Sequence, residues 1–393
     1  MNSQIPRDQP QTPYLRALFS IFMRLFTYLS PSPSQYEYEM SDSNNATTSS
    51  PPQITPATTT KQRKSMSDRL KIGSTIAVGA MTLAIASLKK RPPAVELSNK
   101  SNAIPSRTPP SNSISVLTWN VWFGKREQSK RYNYLVSKVI ELAPDVACFQ
   151  EVTSPFRKAL NSNPGIKEAY HVTDNPIYTY GVVSMVKKDI APELSFEEVH
   201  LQTYMGRSLL VTKIPISGTT GSKKGDEANT NYIRIGNVHL ESLQNESLRR
   251  QQLDTSREYL SQDNEAAMLV GDFNIDSTKN WGDWDRPQHS TEPLENKVLA
   301  EIMPHWIDTW PYLKGDDPGI TFDAATNDNV RNKKERMRYD RMMVKMDSSD
   351  GGEGGVSLEP RDIEMIGTKE IDATGLKASD HYGLLLKVDI IPV

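Results

Sequence analysis

Cysteine is almost absent: Cys148, inside an apolar run, is the one thiol in 393 residues. One cysteine excludes an internal disulfide framework, and no Cys/His pattern of a zinc site occurs. Cys148 reads as a small buried core residue, and a reducing compartment fits. Apolar residues are scarce at 37%, so part of the chain is expected to stay unpacked. Residues 72–88 form an uncharged apolar stretch, but at about 17 residues it sits at the short limit for a membrane span. An excess of one charge sign is missing too, the net charge being -2. The distribution is uneven. Residues 1–112 hold 13 basic and 6 acidic groups, which leaves 33 and 42 for the remainder. An acidic C-terminal part argues against an unspecific grip on duplex DNA, which rests on Lys/Arg contacts to phosphate. It suits a protein that keeps carboxylates for metal. No Ser/His/Asp or Cys nucleophile set is evident, and no internal repeat.

Residues 1–112 read as a low-complexity, largely disordered tail, rich in Ser, Thr, Pro and Asn over 31–60 and again over 92–113. Two apolar islands interrupt it. Residues 14–29 carry an apolar stripe on helical spacing with Arg16 and Arg24 within it, as in a surface-lying or targeting segment. Residues 72–88 are flanked by basic residues on both sides, so they give a membrane contact but no orientation. Lys61, Arg63 and Lys64 form a small basic cluster.

The ordered domain is expected over 113–393. Residues 114–120, 145–152, 180–187, 208–214, 232–240, 266–272, 338–344 and 385–391 read as strands, and 125–142 and 246–260 as helices. Residues 155–172 read as a helix and turn, and 276–300 as an irregular segment. Strands outnumber helices, and helices fall between them. The pattern predicts an α/β fold: two packed mixed β-sheets flanked by helices in a four-layered sandwich.

The most informative stretch is 266–274, an apolar run stopped by Gly271-Asp272-Phe273-Asn274. Continued strand alternation would put Asp272 and Asn274 on one side. Other strands also begin or end in polar residues: Asn120, Glu151, His239, Asp340, and Asp380 with His381. Each has a bland explanation alone, such as a turn cap or a satisfied core histidine. Together they predict one shared rim.

Trp119-Asn120, Gln150-Glu151-Val152, His239-Leu240-Glu241-Ser242, Gly271-Asp272-Phe273-Asn274, Tyr339-Asp340-Arg341 and Ser379-Asp380-His381-Tyr382-Gly383-Leu384 occur in this order. Residues 113–391 thereby resemble the endonuclease/exonuclease/phosphatase family, and within it the tyrosyl-DNA phosphodiesterase branch. The resemblance implies a deoxyribonuclease-like four-layered sandwich and a Mg²⁺- or Mn²⁺-dependent phosphodiester hydrolase. It implies Asp272, His381, Asn120, Asn274 and Asp340 as catalytic residues and Glu151 and Asp380 as metal ligands. His239, Tyr180 and Arg207 would contact substrate. The implied partner is a DNA end, single-stranded, with a 5′-tyrosyl adduct. An intracellular monomer is expected, with the nucleus ahead of mitochondrion or membrane. A lipid phosphodiesterase held at a membrane, or a general nuclease of the family, is the alternative. Three departures stand out. Trp122 replaces an Asp near the metal, Ile275-Asp276-Ser277 replaces an Arg-bearing segment, and Phe322 replaces a Trp.

Overall fold

The computed structural model describes residues 95–99 (backbone), 113–191, 194–216, 231–262, 265–284, 293–346 and 356–392. The islands at 14–29 and 72–88 and the basic cluster at 61–64 lie outside them. Among the described residues no helix is long and apolar enough to cross a membrane.

In chain order the elements are β1 (Val95–Asn99), β2 (Ser113–Asn120), α1 (Gln128–Leu142), β3 (Val146–Val152), α2 (Ser154–Ser162), α3 (Pro164–Ala169), β4 (Tyr170–Val172) and β5 (Gly181–Lys187). Then come β6 (Leu194–His200), β7 (Ser208–Ile216), β8 (Asn231–His239), α4 (Glu246–Leu260), β9 (Ala266–Asp272), α5 (Lys297–Ile302), β10 (Trp306–Asp308) and α6 (Thr309–Lys314). The chain closes with β11 (Phe322–Asp323), β12 (Arg336–Met337), β13 (Asp340–Lys345), β14 (Val356–Ile366) and β15 (Gly383–Pro392).

Two large sheets carry the domain. One has the order β1-β6-β7-β8-β9-β13-β10 and the other β14-β15-β2-β3-β5-β4. Each contains one parallel pair, β8 with β9 and β2 with β3; the remaining pairs are antiparallel. The parallel pairs fix the placement of the site. Asn120 ends β2 and Gln150 lies near the end of β3; His239 and Asp272 end β8 and β9 side by side. The antiparallel neighbours β13 and β15 begin where these strands end, so Asp340 faces Asp272 and Leu384 faces Thr118.

Strand alternation divides the side chains into layers. Val116, Val146, Cys148, Ile235, Met268, Val270, Met342 and Leu386 meet between the sheets. Leu117, Trp119, Ala147 and Phe149 point the other way, under α1 and α2. Leu209, Val211, Leu269 and Leu253 pack the outer face of the first sheet against α4. Helix α1 follows from Tyr132, Leu135, Val136 and Val139 on one stripe. It ends where Ala143 turns left-handed, at φ 44, ahead of Pro144. Cys148 is fully buried and its thiol is pushed up to about 12 by that burial, as a core residue requires.

The four-layered sandwich agrees with the reading of the sequence, but several elements differ. β1 lies upstream of the boundary expected at 113 and pairs along β6, so the strand order begins inside the segment assigned to the tail. Residues 155–172 resolve into α2, α3 and β4, and 276–300 contains the start of α5. β6 and β14 were not expected. Their acidic residues, Glu197 and Glu198 in one and Glu359, Asp362 and Glu364 in the other, obscure the apolar alternation.

Candidate active site

The inward alternation that fills the core with aliphatic side chains turns polar at one end. Gln150 and Asn237 face each other across the sheets, with Gln150 Nε2 donating to Asn237 Oδ1 at 2.8 Å and to Thr118 Oγ1 at 3.0 Å. Asn237 Nδ2 donates to the Phe149 and Val183 carbonyls and to Ser184 Oγ. This amide layer is the floor of the site. One step further along the same strands stand Asn120, His239, Asp272 and Asp340.

Gly271 permits the junction. A Cβ there would lie 1.9 Å from the Val238 carbonyl oxygen, and its φ of 139° is one that L residues avoid. The parallel neighbour therefore passes close beside it, and Asp272 emerges next to His239.

Asp272 is the hub. Its Oδ2 accepts from Asn120 Nδ2 at 3.0 Å and faces His239 Nε2 at 3.4 Å and His381 Nε2 at 3.7 Å. Its Oδ1 accepts from the Asn274 backbone at 2.9 Å. Burial pushes the carboxyl up to about 6; Asp340 adds to the rise, while His381 and the Asn120 and Asn274 hydrogen bonds oppose it. At neutral pH Asp272 is mainly ionised but far more basic than a surface Asp.

His381 Nδ1 pairs with Asp340 Oδ2 at 2.8 Å. Burial works against a charge on the imidazole, but Asp340, Asp272 and Asp380 outweigh it and hold its pKa well above the ordinary value. His381 is thus a cation at neutral pH. Its loop is pinned: the Trp119 indole donates to the His381 carbonyl, Ser379 Oγ to the Asn120 carbonyl, and the Tyr382 amide to the Thr321 carbonyl.

His239 takes the opposite state. Burial, then the charges of Arg207 and His381, lower its pKa well below the ordinary value. Arg207 Nη1 lies 2.9 Å from His239 Nδ1. A guanidinium only donates, so Nδ1 accepts and the ring proton sits on Nε2, on the side of Asp272. The site therefore holds one charged and one neutral histidine, both with Nε2 toward a single carboxylate oxygen.

Tyr180 reaches the site as well. Its ring centre is 6.3 Å from that of His239, the Arg207 guanidinium lies 5.4 Å from its centroid, and Phe123 stacks on it at 5.0 Å. Phe322 packs on His381 at 4.8 Å. Glu151 sits at a register shift in β3 with φ 56, and its Oε2 accepts from the Phe123 amide at 3.0 Å. Asp380, two residues beyond the buried Ala378, is pushed up to about 7 by burial, with Glu151 adding to the rise and His381 and Arg131 opposing it.

The structure thus brings the sequence-derived residues to one rim. Asn274 reaches it differently from the expectation. The strand ends at Asp272, and Asn274 is left-handed at φ 52, so alternation does not continue to it. Its backbone amide orients Asp272, and its carboxamide nitrogen donates to the Leu240 carbonyl at 3.1 Å. Asp272, Asp340 and His381 have ligand atoms within 4.8 Å of one another, close enough to hold a cation. Glu151 and Asp380, expected as the ligands, are outside that trio.

Two residues of the site were not expected. Buried Arg131 donates to the Val121, Trp122, Gly124 and Ala378 carbonyls, and its guanidinium lies 4.3 Å from the Trp122 ring centre. It locks the loop that carries Phe123. Its signal was a cation one turn before Leu135, on the apolar stripe of α1. The second is Glu241, in the His239–Ser242 motif; it is fully buried and binds the loop ahead of Arg207.

Residues 117–381 match the sequence profile of the Endonuclease/Exonuclease/phosphatase family. A search of curated proteins finds no match. Among solved structures, TDP2 of D. rerio complexed with single strand DNA product superposes with a TM-score of 0.54. The identity is 20%, over 71% of this chain and 100% of that one. TDP2 from C. elegans gives 0.53 at 20% identity, over 70% and 75% of the two chains. These likenesses carry the fold.

Proposed function

Since the chain belongs to the endonuclease/exonuclease/phosphatase family, we propose that it is a divalent-metal-dependent phosphodiesterase acting on 5′-phosphotyrosyl bonds at single-stranded DNA ends. The observation that carries the phosphodiester reading is the pair of histidines of opposite charge state facing Asp272. The DNA-end reading is supported by the motifs of the tyrosyl-DNA branch and by the single-strand product held by the D. rerio relative.

Glu151 and Asp380 fit a hard cation. Both offer only oxygen donors, one Glu151 oxygen is already oriented by Phe123, and the two charges stand close enough to oppose each other. Asp272, Asp340 and His381 are the weaker candidate, because the Asp340–His381 bond engages two of their ligand atoms. Mg²⁺ or Mn²⁺ held by Glu151 and Asp380 would supply charge neutralisation for a phosphodiester. The chain's own groups supply the rest. Asp272, raised to about 6, takes the proton of the attacking water. Asn120 and the Asn274 amide fix the direction of its lone pairs. His381, kept charged by Asp340, donates through Nε2 to a non-bridging oxygen as negative charge grows. Neutral His239 donates from the other side. Tyr180, stacked on Phe123, backs the exposed Phe123 ring, which offers a face to an aromatic leaving group or a base.

The test is hydrolysis by the full chain, with Mg²⁺, of an oligonucleotide bearing a 5′-phosphotyrosine. An unmodified oligonucleotide, an abasic duplex and a soluble phosphoinositide are run in parallel. Tyrosine release leaving a 5′ phosphate is expected, lost in Asp272→Asn and, at the Mg²⁺ concentration that half-saturates wild type, in Glu151→Ala. Turnover of another diester alone would move the substrate assignment, and Trp122 and Phe322 would be the first positions to examine.

A further inference from the structure

Arg207 fixes the tautomer of His239, and the structure shows what fixes Arg207. The loop ahead of it is wound around one hydroxyl. Thr203 Oγ1 accepts from the Met205 amide at 2.9 Å and from the Arg207 amide at 3.1 Å. Its single proton is then donated to Glu241 Oε2 at 2.6 Å. The other oxygen, Oε1, accepts from the Tyr204 amide at 2.9 Å. From helix α4, Gln252 Nε2 donates to Glu241 Oε2 at 3.1 Å and to the Gln202 carbonyl at 2.8 Å, while Gln252 Oε1 accepts from the Glu241 amide at 2.8 Å. Buried Arg249, paired with Glu295, donates to the Glu241 and Leu243 carbonyls.

We propose that Glu241 is a positioning residue: it holds Arg207 against His239 and so keeps the His239 proton on Nε2, the face turned to the reacting phosphate. The kinetic part rests on the phosphodiesterase reading above. The chemistry requires a carboxylate. Three donors arrive from a threonine, a backbone amide and a glutamine, and both oxygens must accept. A carboxamide is the same size but has one accepting oxygen. In either orientation its NH₂ meets a donor, N–H against N–H at Tyr204 or against the Thr203 hydroxyl and the Gln252 amide. In the second orientation the Thr203 hydroxyl also loses its acceptor while still taking two amides. Burying the mismatch breaks the turn that presents Arg207.

The test uses full-length protein with Glu241→Gln and, separately, Thr203→Val, which removes the relay hydroxyl and leaves Glu241 in place. Imidazole ¹⁵N shifts report the His239 tautomer without any substrate. Wild type is expected as Nε2–H with an accepting Nδ1. Both variants are expected to show a mixed population, together with a fall in kcat/KM of about 10²-fold, the scale of a misplaced catalytic group. Loss in Glu241→Gln combined with Arg207→Gln is expected to be far less than the product of the single losses. Folded variants that keep Nε2–H and wild-type kinetics would overturn the proposal, as would losses that multiply with Arg207→Gln. If Glu241→Gln fails to fold, Thr203→Val decides alone. If wild type hydrolyses no phosphodiester, the tautomer measurement still decides the positioning role, while the activity reading fails by itself.

Discussion

Replacing Asp272 by Asn is expected to abolish hydrolysis and to remove a loss of stability that wild type suffers as pH rises. Asp272 is 2% exposed, and its carboxyl is raised from 3.8 to about 6. Below about pH 4 both folded and unfolded chains hold the proton, and the group costs nothing. Between the two values the unfolded chain releases it while the folded chain does not, so wild type loses stability as pH rises. Above about 6 the loss levels off. Two units at 1.36 kcal/mol each set the full effect at about 3 kcal/mol. Some of this is returned, because His381 loses one of the carboxylates that keep it charged. An Asn side chain carries no such pH dependence, while its NH₂ meets a donor in either orientation, from the Asn274 amide or from Asn120 and the histidines; that cost does not vary with pH over this range, so the stability of Asp272→Asn relative to wild type is expected to rise by about 1–2 kcal/mol between about pH 4 and 7.5. For a domain of this size that is a relative shift of roughly 2–6 °C in Tm between the two pH values. Urea melts of both proteins at the two pH values, in chelator, measure it. A gap that does not move in the variant's favour as pH rises would refute the strained-carboxylate account of Asp272.

Asp340→Asn removes the largest influence holding His381 charged, so the alkaline limb of kcat/KM is expected to move to lower pH; a profile between about pH 5 and 9 shows it. Glu151→Ala is expected to raise the Mg²⁺ concentration for half-maximal activity by about tenfold or more. Its urea midpoint should stay near wild type, since the half-buried side chain bonds one loop amide. Gly271→Ala forces a methyl onto the Val238 carbonyl; about 3 kcal/mol or more of stability is expected to be lost, read as a fall in Tm or in soluble yield.

Much of this site could be read in the sequence because each strand changes character at one end. Runs such as 266–270 are apolar and then stop at a carboxylate or amide, and parallel pairing carries those ends to the same edge. The sequence does not reveal what lies on the other side of each group. Asp272 looks like any loop aspartate until burial and the Asp340 neighbour raise it. His239 and His381 are indistinguishable in the sequence, and their opposite charge states come from an arginine beside one and a carboxylate beside the other. Asn274 shows a limit of alternation, since a left-handed turn replaced the expected strand geometry. β14 was missed because charged residues alternate irregularly along an edge strand, and Glu241 because burial of a carboxylate leaves no local mark.

The amide layer formed by Gln150 and Asn237 has a consequence for the distance between the two halves of the site. Glu151 and Asn120 belong to one sheet, Asp272 and His239 to the other, and aliphatic packing alone would let the sheets slide. A bond at 2.8 Å between two buried carboxamides tolerates little shear. One residue of slippage would leave several polar groups unpaired at once. The layer works as a dowel between two planks: it sets the span between the two halves of the site.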